Sequence, residues 1–501
     1  MQFPTFSTSK RLFLAGVLVA LVVQFQGVAQ SSPREPEEVL SEANQLELKG
    51  QFKQAAQVLS NALGKKSLSN AQRKQFEFDL DRLERIKKDF PYTREGLFEE
   101  LKKTVKSLTT EEYEQWIREG RFDSREFDGE QRFMVSSVSN LFFRYPELSS
   151  RRQPPKDNSD IQRHYWEVSA EIKKAALAQK KPYVLPRRFH ATMTVTAHAG
   201  AAPAGEIVRA WLPLPRQYPF QNEFELVSAS PSAISIDRPD SSIRSVYLEQ
   251  RAPTNQPSEF KVEYEFTRFG IWFDLKPESV RAWDAKDAGL SAFVREGPHV
   301  VFTPEMRALS RQIVGDETNP CRQAKRIYDW VAEYIQYSYA IEYSTIRNIG
   351  DYCRSKGYGD CGQEALLFIT LCRLNGIPAR WESGWNIFPH FKDIHDWSEI
   401  YLAPYGWVPV DPYMGVFATR LGTALSPEQR RELRDFYFGG LDQYRMAANS
   451  DYSQTLSPPK QSFRSDNVDF QRGELECGAH NIYFDQYSYD LKIAEVNVAS
   501  P

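Results

Sequence analysis

The chain has 501 residues, a formal net charge of −3 at pH 7 and a hydrophobic fraction of 41%. That length supports several domains, and the near-neutral charge gives no electrostatic reason to expect a nucleic acid or an acidic polymer as partner. Its five cysteines are too few for a secreted disulfide scaffold.

The first 29 residues have the pattern of a secretory signal peptide. Lys10 and Arg11 precede an apolar run over residues 12–23, and Ala29 is a small residue placed for cleavage before Gln30. An uncleaved membrane anchor is the alternative, but the run is shorter than the about 20 residues that a span requires. We therefore predict an exported protein, periplasmic or secreted, with no membrane attachment after cleavage.

Residues 30–182 predict a helical domain, because Glu, Lys, Gln and Leu recur there at helical spacing. The stretch from Gly50 to Leu63 is similar to half of a tetratricopeptide repeat. An ordinary helical hairpin fits it equally well, because such repeats need stacked neighbours and no convincing second copy follows. This domain is a candidate surface for a protein partner.

Residues 186–275 predict a β-sandwich domain. Short runs rich in β-branched and aromatic residues alternate with Pro, Ser, Asn and Asp, as in strands joined by turns. Its role is either structural or the binding of a carbohydrate or a partner. Binding would use Tyr218 and Phe220 as exposed aromatic side chains.

Residues 298–420 contain the residues that predict chemistry. A helix expected over Cys321–Tyr337 is followed by a second helix that begins at Cys361, with Asp360 or Gly359 as its cap. The partial positive charge of a helix N-terminus favours the thiolate form of a cysteine, which is the form that acts as a nucleophile. We also expect a loop over residues 386–393, directly before His395, and loops in such positions often form the walls of binding sites.

A β-hairpin is predicted directly downstream. One strand runs from His395 to Leu402 and the next from Trp407 to Val410, so the open end of the hairpin holds both His395 and Asp411. Cross-strand neighbours have Cβ atoms about 4.5–8 Å apart, so the carboxylate can reach the imidazole. Asp411 would then orient His395, and His395 would take the proton of Cys361. Taken singly, a surface histidine and a turn-forming aspartate would be the preferred interpretations.

Three motifs together resemble those of the transglutaminase-like superfamily. They are the cysteine at a helix start, the run His395-Asp396-Trp397-Ser398-Glu399 and the run Trp407-Val408-Pro409-Val410-Asp411-Pro412. The resemblance covers residues 303–412 and implies an α+β fold. A papain-like, transglutaminase-like catalytic core would be preceded by a β-sandwich and an N-terminal helical region. It implies a catalytic triad of Cys361, His395 and Asp411.

The sequence departs from the family at Asp396, where many members have a small residue, and this predicts an unusually acidic site. No calcium-loop or metal-ligand spacing is present, so we expect no metal and no cofactor. Residues 421–501 are expected to complete the core, with the alternating residues of 481–498 closing one of its sheets. Cys321, Cys353, Cys372 and Cys477 could pair, but spacing does not say how.

The resemblance implies cysteine acyl-transfer chemistry on a protein or peptide substrate. Hydrolysis, as in a protease or amidase, is the preferred outcome, because exported bacterial members of the family suggest peptidases more often than cross-linking enzymes. Transfer to an amine, as in a cross-linking transglutaminase, is the first alternative. The second is a binding module that keeps the fold and performs no chemistry.

Overall fold

The computed structural model describes residues 35–65 and 67–496. The predicted signal peptide, residues 1–29, lies outside these ranges. Within them, no helix is both long enough and apolar enough to cross a membrane. All five cysteines lie in the described ranges and are unpaired thiols, four of them buried, so none of the disulfides left open by the sequence is present.

The described part of the chain, from residue 35 onward, starts with helices, as the fold class predicts. Ser69, Thr93 and Thr109 each accept a hydrogen bond from a backbone N–H in the first turn of the helix that follows. Such a bond satisfies a donor that a helix start leaves open. The seven helices are Pro36–Leu48, Phe52–Leu63, Asn70–Asp89, Arg94–Thr104, Thr110–Arg118, Ser137–Arg144 and Ser159–Gln179, and a two-stranded hairpin of Ser124–Phe127 and Glu130–Phe133 interrupts them.

Two five-stranded sheets follow. Every second residue from Phe189 to Ala197 is buried, as expected for a strand with one face on a core. The first sheet contains Tyr183–Ala197, Gln221–Ser230, Ser258–Trp272, Gly440–Leu441 and Tyr487–Val496. The second contains Ile207–Pro213, Ser235–Ile236, Ser245–Arg251, Glu474–Cys477 and His480–Ile482.

The last strands do not close a sheet of the core, and that expectation is wrong. Tyr487–Val496 pairs antiparallel with Tyr183–Ala197, and Glu474–Cys477 pairs with Ile207–Pro213. Both strands return to the sandwich, where they supply partners for strands that would otherwise be exposed edges. One strand of the C-terminal region, Arg445–Asn449, does join the sheet that contains His395, where it pairs with Ala379–Phe388.

Tyr218 and Phe220 also differ from expectation, because they do not form an exposed aromatic surface. The Tyr218 hydroxyl donates to the carboxylate of Glu382, 2.7 Å away, and the ring stacks on Phe220 at a centroid distance of 4.6 Å. Phe220 is buried. The two side chains thus connect the sandwich to the neighbouring sheet.

The sheet that carries His395, here called the central sheet, has four antiparallel strands in the order Gly406–Val410, Phe391–Leu402, Ala379–Phe388 and Arg445–Asn449. The Cys361–Leu374 helix packs on its Phe391–Leu402 strand. That helix is buried from Gly362 to Arg373, so it is enclosed on all sides and not only along an apolar stripe. The neighbouring helices are Pro304–Val314, Pro320–Tyr334, Ile349–Lys356, Pro412–Val416 and Pro427–Phe436, with the short helix Ala288–Ser291 before them.

The loop expected over residues 386–393 is a β-hairpin. Ala379–Phe388 and Phe391–Leu402 pair without interruption from Ala379↔Ile400 to Phe388↔Phe391. The two-residue turn contains His390 at a φ of 63°, a conformation that non-glycine residues adopt mainly in tight turns. Pairing with the long strand outweighs the loop signal of Pro389.

Candidate active site

Cys361 is the first residue of its helix, as the sequence predicts. The Asp360 carboxylate accepts from the backbone N–H of Gln363 at 3.2 Å, and the Gln363 side chain accepts in return from the Asp360 N–H. This capping box fixes the helix start and with it the position of the thiol. A Cβ atom added at Gly362 would lie 2.2 Å from the Tyr343 hydroxyl and 2.6 Å from Asp396 Oδ2, so only glycine fits beside the cysteine.

The thiol of Cys361 faces carboxylates. Its Sγ donates to Asp396 Oδ2 at 3.5 Å. Burial raises the pKa of the Cys361 thiol well above its ordinary value, and the negative charges of Asp396 and Asp360 raise it further. The expectation of a thiolate stabilised by the helix start is therefore wrong for this state, because burial and two neighbouring carboxylates outweigh the helix dipole, worth about 0.3–1 kcal/mol.

His395 and Asp411 are in contact, as the hairpin predicts. The His395 Nε2 lies 2.8 Å from Asp411 Oδ2, and both side chains are buried. Because a carboxylate accepts hydrogen bonds, this contact makes Nε2 the donor and leaves Nδ1 as the acceptor. Asp411 Oδ1 accepts from the backbone N–H of Met414 at 3.1 Å, so the aspartate also caps the Pro412–Val416 helix.

The structure does not join all three predicted site residues. Among the described residues, no hydrogen bond links Cys361 to His395, because the thiol donates to Asp396 and the imidazole contacts Asp411. The ring of Tyr413 lies 5.4 Å from the His395 ring and 5.0 Å from the Tyr337 ring. Tyr337 in turn pairs with Gly359, two residues before the cysteine. The assignment of Cys361, His395 and Asp411 as one catalytic triad therefore stays a prediction.

Gln471 is a site residue that sequence reasoning missed. Its Nε2 donates to the backbone carbonyl of His395 at 2.9 Å and to Asp396 Oδ1 at 2.7 Å. The indole N–H of Trp385 donates to the Gln471 carbonyl at 3.0 Å. Gln471 thus holds the strand at the histidine from a segment with no local pattern, and no sequence signal could have found it.

Two cavities meet at this end of the central sheet. The first has a volume of about 310 Å³ and is lined by Cys361, Asp396 and Gln471. The second, about 290 Å³, lies against the helical region and is lined by Tyr413 and Phe142. Tyr337 and Tyr339 line both cavities. Only the first cavity reaches the thiol of Cys361.

Within the described ranges, no group of three or more His, Cys, Asp or Glu side chains is arranged to hold a metal ion.

Comparison with solved structures gives several distant similarities. A candidate cysteine protease from Cytophaga hutchinsonii is 13% identical, with 64% of this chain and 94% of that chain covered and a TM-score of 0.42. The periplasmic domain of TgpA from Pseudomonas aeruginosa is 16% identical, with 52% and 95% covered and a TM-score of 0.24. A candidate protease from Parabacteroides distasonis is 10% identical, with 46% and 68% covered and a TM-score of 0.17.

The family comparison is more specific. Comparison with curated proteins gives no match. The sequence model of the transglutaminase-like superfamily matches residues 307–412. That range contains the cysteine at the helix start, the strand with His395 and the strand end with Asp411, in the order that the sequence motifs predict. Residues 307–412 of this chain are a transglutaminase-like domain.

Proposed function

We propose that this protein is a cysteine acyl-transfer enzyme that hydrolyses peptide or amide bonds, with Cys361 as nucleophile, His395 as general acid and base, and Asp411 as the residue that orients His395. The observation that carries the proposal is the buried 2.8 Å contact between His395 and Asp411 in the same domain as a cysteine at a helix start. In that contact Nε2 is engaged, which leaves Nδ1 as the atom that can accept the thiol proton.

The reaction requires one local change. In the described state the thiol proton of Cys361 is directed at Asp396. Rotation of the thiol away from Asp396 and toward His395 Nδ1 would form the thiolate–imidazolium pair, and hydrogen bonds of this kind often tighten only in a substrate complex. The thiolate then attacks the carbonyl carbon, the imidazolium protonates the leaving amine, and a thioester on Cys361 remains. Water activated by His395 releases the acid and restores the thiol.

A cross-linking transglutaminase is the alternative, since an amine can replace water in the last step. The discriminating experiment incubates the mature protein with a casein-like substrate, with and without a small primary amine, and follows both fragmentation and amine incorporation. Fragmentation in wild type and its loss in Cys361→Ala is the expected result. Amine incorporation without fragmentation would show transfer in place of hydrolysis. If neither activity is detected, the binding module is the remaining interpretation.

The rest of the chain has supporting roles in this proposal. Residues 1–29 direct export to the periplasm or the medium, the helical region at 30–182 offers a surface for a protein partner, and the sandwich at 186–275 supports the core at 298–420. Residues 421–501 serve both the core and the sandwich. Mass analysis of protein purified from a bacterial periplasm tests the first point, because a mature chain that begins at Gln30 is expected.

A further inference from the structure

The cavity beside Cys361 is strongly acidic, and we call it the acidic pocket. Six carboxyl groups line its volume of about 310 Å³, and one basic side chain, Arg472, lies among them. The carboxyl groups are Glu342, Asp360, Asp393, Asp396, Asp466 and Asp469. Arg472 is already engaged, since its guanidinium lies 2.8 Å from Glu342 Oε2 and 3.4 Å from Asp466 Oδ2. The pocket therefore contains far more acidic than basic side chains.

Among the described residues, two of the deepest carboxyl groups, Asp396 and Asp469, have no ion-pair partner, and the third, Asp466, shares Arg472 with Glu342. Asp396, Asp466 and Asp469 are buried, with exposed fractions of 3%, 5% and 3%. Burial raises the pKa of each, and neighbouring carboxylates raise the pKa values of Asp396 and Asp469 further. Buried carboxylates of like charge are costly unless they are paired. A positively charged group that entered the pocket would relieve this repulsion.

A second and independent feature is an unused acceptor. Gln471 lines the pocket and is 1% exposed, and its Oε1 is a buried oxygen without a hydrogen-bond partner. The orientation of this amide follows from its contacts, because Nε2 faces two acceptors, the His395 carbonyl and Asp396 Oδ1. A buried acceptor without a donor is unfavourable, because it has lost its hydrogen bonds to water without replacement. The missing partner is a hydrogen-bond donor, as an ammonium group is.

The third feature is aromatic. Tyr337, Tyr339 and Tyr343 line the same cavity. The face of an aromatic ring attracts a cation, and tyrosine rings combined with carboxylates are typical of sites that bind organic ammonium groups. The carboxyl groups are also spread around the cavity, and within the described ranges no three of them are arranged to hold a metal ion. This distribution suits an organic cation better than a divalent metal.

From these contacts we infer that the acidic pocket is a subsite for the protonated amine of a substrate side chain, held next to the carbonyl that Cys361 attacks. The substrate class is thus a peptide or amide with a lysine-like cation beside the scissile bond. Gln471 Oε1 accepts from the ammonium group, Asp466 and Asp469 supply the negative charge, and the tyrosine rings enclose it. That the bound amine belongs to a substrate rests on the proposed function. The preference of the pocket for a cation does not depend on that function.

The test measures this preference without catalysis. Cys361 is modified with the cationic 2-aminoethyl and the anionic 2-sulfonatoethyl methanethiosulfonate, and the two rates are located at Cys361 by peptide mapping. Their ratio is divided by the ratio for free 2-mercaptoethanol, which removes intrinsic reactivity. We expect the normalised ratio to favour the cation by about tenfold or more, as in charge-lined clefts, and to fall with added salt.

Variants locate the effect. Asp466→Asn and Asp469→Asn should each lower the normalised ratio about threefold or more, whereas Asp316→Asn, an exposed carboxylate outside the pocket, should leave it unchanged. Circular dichroism verifies that the variants are folded, and if they are not, the salt dependence of the wild-type ratio decides. A normalised ratio near one, a ratio unaffected by salt, or no labelling of Cys361 by either reagent would overturn the inference.

A second measurement separates this inference from the proposed function. Peptides with lysine or norleucine beside the scissile bond are compared, and norleucine should raise KM about tenfold in wild type and much less in Asp469→Asn. If the wild-type protein hydrolyses neither peptide but Cys361 still reacts faster with the cationic reagent, the proposed function is refuted and the cationic subsite is retained. If the lysine and norleucine peptides are hydrolysed equally well, or serve equally well as acyl donors for amine incorporation, the pocket does not bind the side chain of the substrate.

Discussion

Asp411 shows how one side chain can serve both folding and chemistry. One carboxylate oxygen contacts His395 and the other caps the Pro412–Val416 helix. A residue that only shaped a turn would need the second contact alone. The two contacts can be separated by mutation, because asparagine keeps an oxygen for the cap but offers an N–H group where the histidine donates.

Asp411→Asn and Asp411→Ala are therefore expected to differ from each other in stability but not in activity. Both should reduce turnover by about 10²–10⁴-fold, because neither holds Nε2 as the donor. Asp411→Ala should also destabilise the protein by about 1 kcal/mol through the lost cap. Peptide hydrolysis and thermal unfolding under one buffer measure both effects, and an Asp411→Asn enzyme with wild-type turnover would remove Asp411 from the site.

Glu364 is a buried residue whose environment disfavours the ionised form of its carboxyl group. It lies one turn after Cys361 and is fully buried, and neither carboxyl oxygen has a hydrogen-bond partner. Burial raises its pKa well above the ordinary value, and Asp360 and Asp411 raise it further. The folded protein thus binds this proton more tightly than the unfolded chain, so the associated stability is present at low pH and declines as pH rises through the folded pKa.

Glu364→Gln should remove this contribution. We expect the variant to lose less stability than wild type between pH 5 and pH 8, by about 1.4 kcal/mol for each unit by which the folded pKa exceeds the unfolded one within that window. Urea unfolding at several pH values measures the difference. Parallel curves for the two proteins would show that Glu364 ionises freely.

At the scale of elements, the central sheet depends on close approach of two strands at the histidine. Gly384 is the cross-strand neighbour of His395, and a Cβ atom there would lie 1.9 Å from the Met446 carbonyl oxygen. On its other side, the Ala379–Phe388 strand pairs with Arg445–Asn449, and that pairing shifts register between Ser383 and Gly384. A side chain at 384 must therefore move the Arg445–Asn449 strand.

Gly384→Ala is expected to destabilise the protein by about 1–3 kcal/mol or more, since the clash is with backbone and not with a flexible side chain. Turnover should fall as well, because His395 lies opposite. Gly64→Ala is the matched control, as the nearest atom to an added Cβ there is 3.5 Å away. Equal melting temperatures for the two variants would contradict this description of the sheet.

At the scale of the whole molecule, the C-terminal strand returns across the chain to the sandwich. Tyr487 and Leu491 are buried where Tyr487–Val496 pairs with Tyr183–Ala197. A chain that ends at Gln486 should lose about 3–6 kcal/mol from these two side chains and expose a strand edge that promotes aggregation. Urea unfolding and light scattering measure both, with the exposed-site variant Ser488→Ala as control, and a fully stable truncated chain would contradict the prediction.

Sequence reasoning succeeded where the determinants are local. The cap at Asp360, the helix from Cys361 and the hairpin that brings His395 to Asp411 each depend on residues close together in the chain. It failed where partners are distant in sequence. The return of the last strand to Tyr183–Ala197, the contact of Gln471 with the histidine strand and the burial of Phe220 are decided by tertiary packing, which leaves no local pattern.

The acidity of the site was predicted only in part. Asp396 stood out as a departure from the family, but its contact with Cys361 and its place among five other carboxyl groups require the folded chain. Asp466 and Asp469 lie within residues 421–501, which the sequence assigned to completing the core and not to the site. The low-pKa thiol expected at the helix start was wrong mainly because burial, and after it the charge of Asp396, raises the pKa of Cys361, and both depend on the folded chain.

The most direct test of the central claim is to trap the acyl-enzyme. The mature protein is mixed with a peptide substrate, quenched in acid during turnover and digested, and the modified residue is located by mass spectrometry. A thioester at Cys361 in wild type, absent from Cys361→Ala together with all turnover, is the predicted result. Turnover that persists in Cys361→Ala, or an acyl group on any other residue, would contradict the claim that Cys361 is the nucleophile.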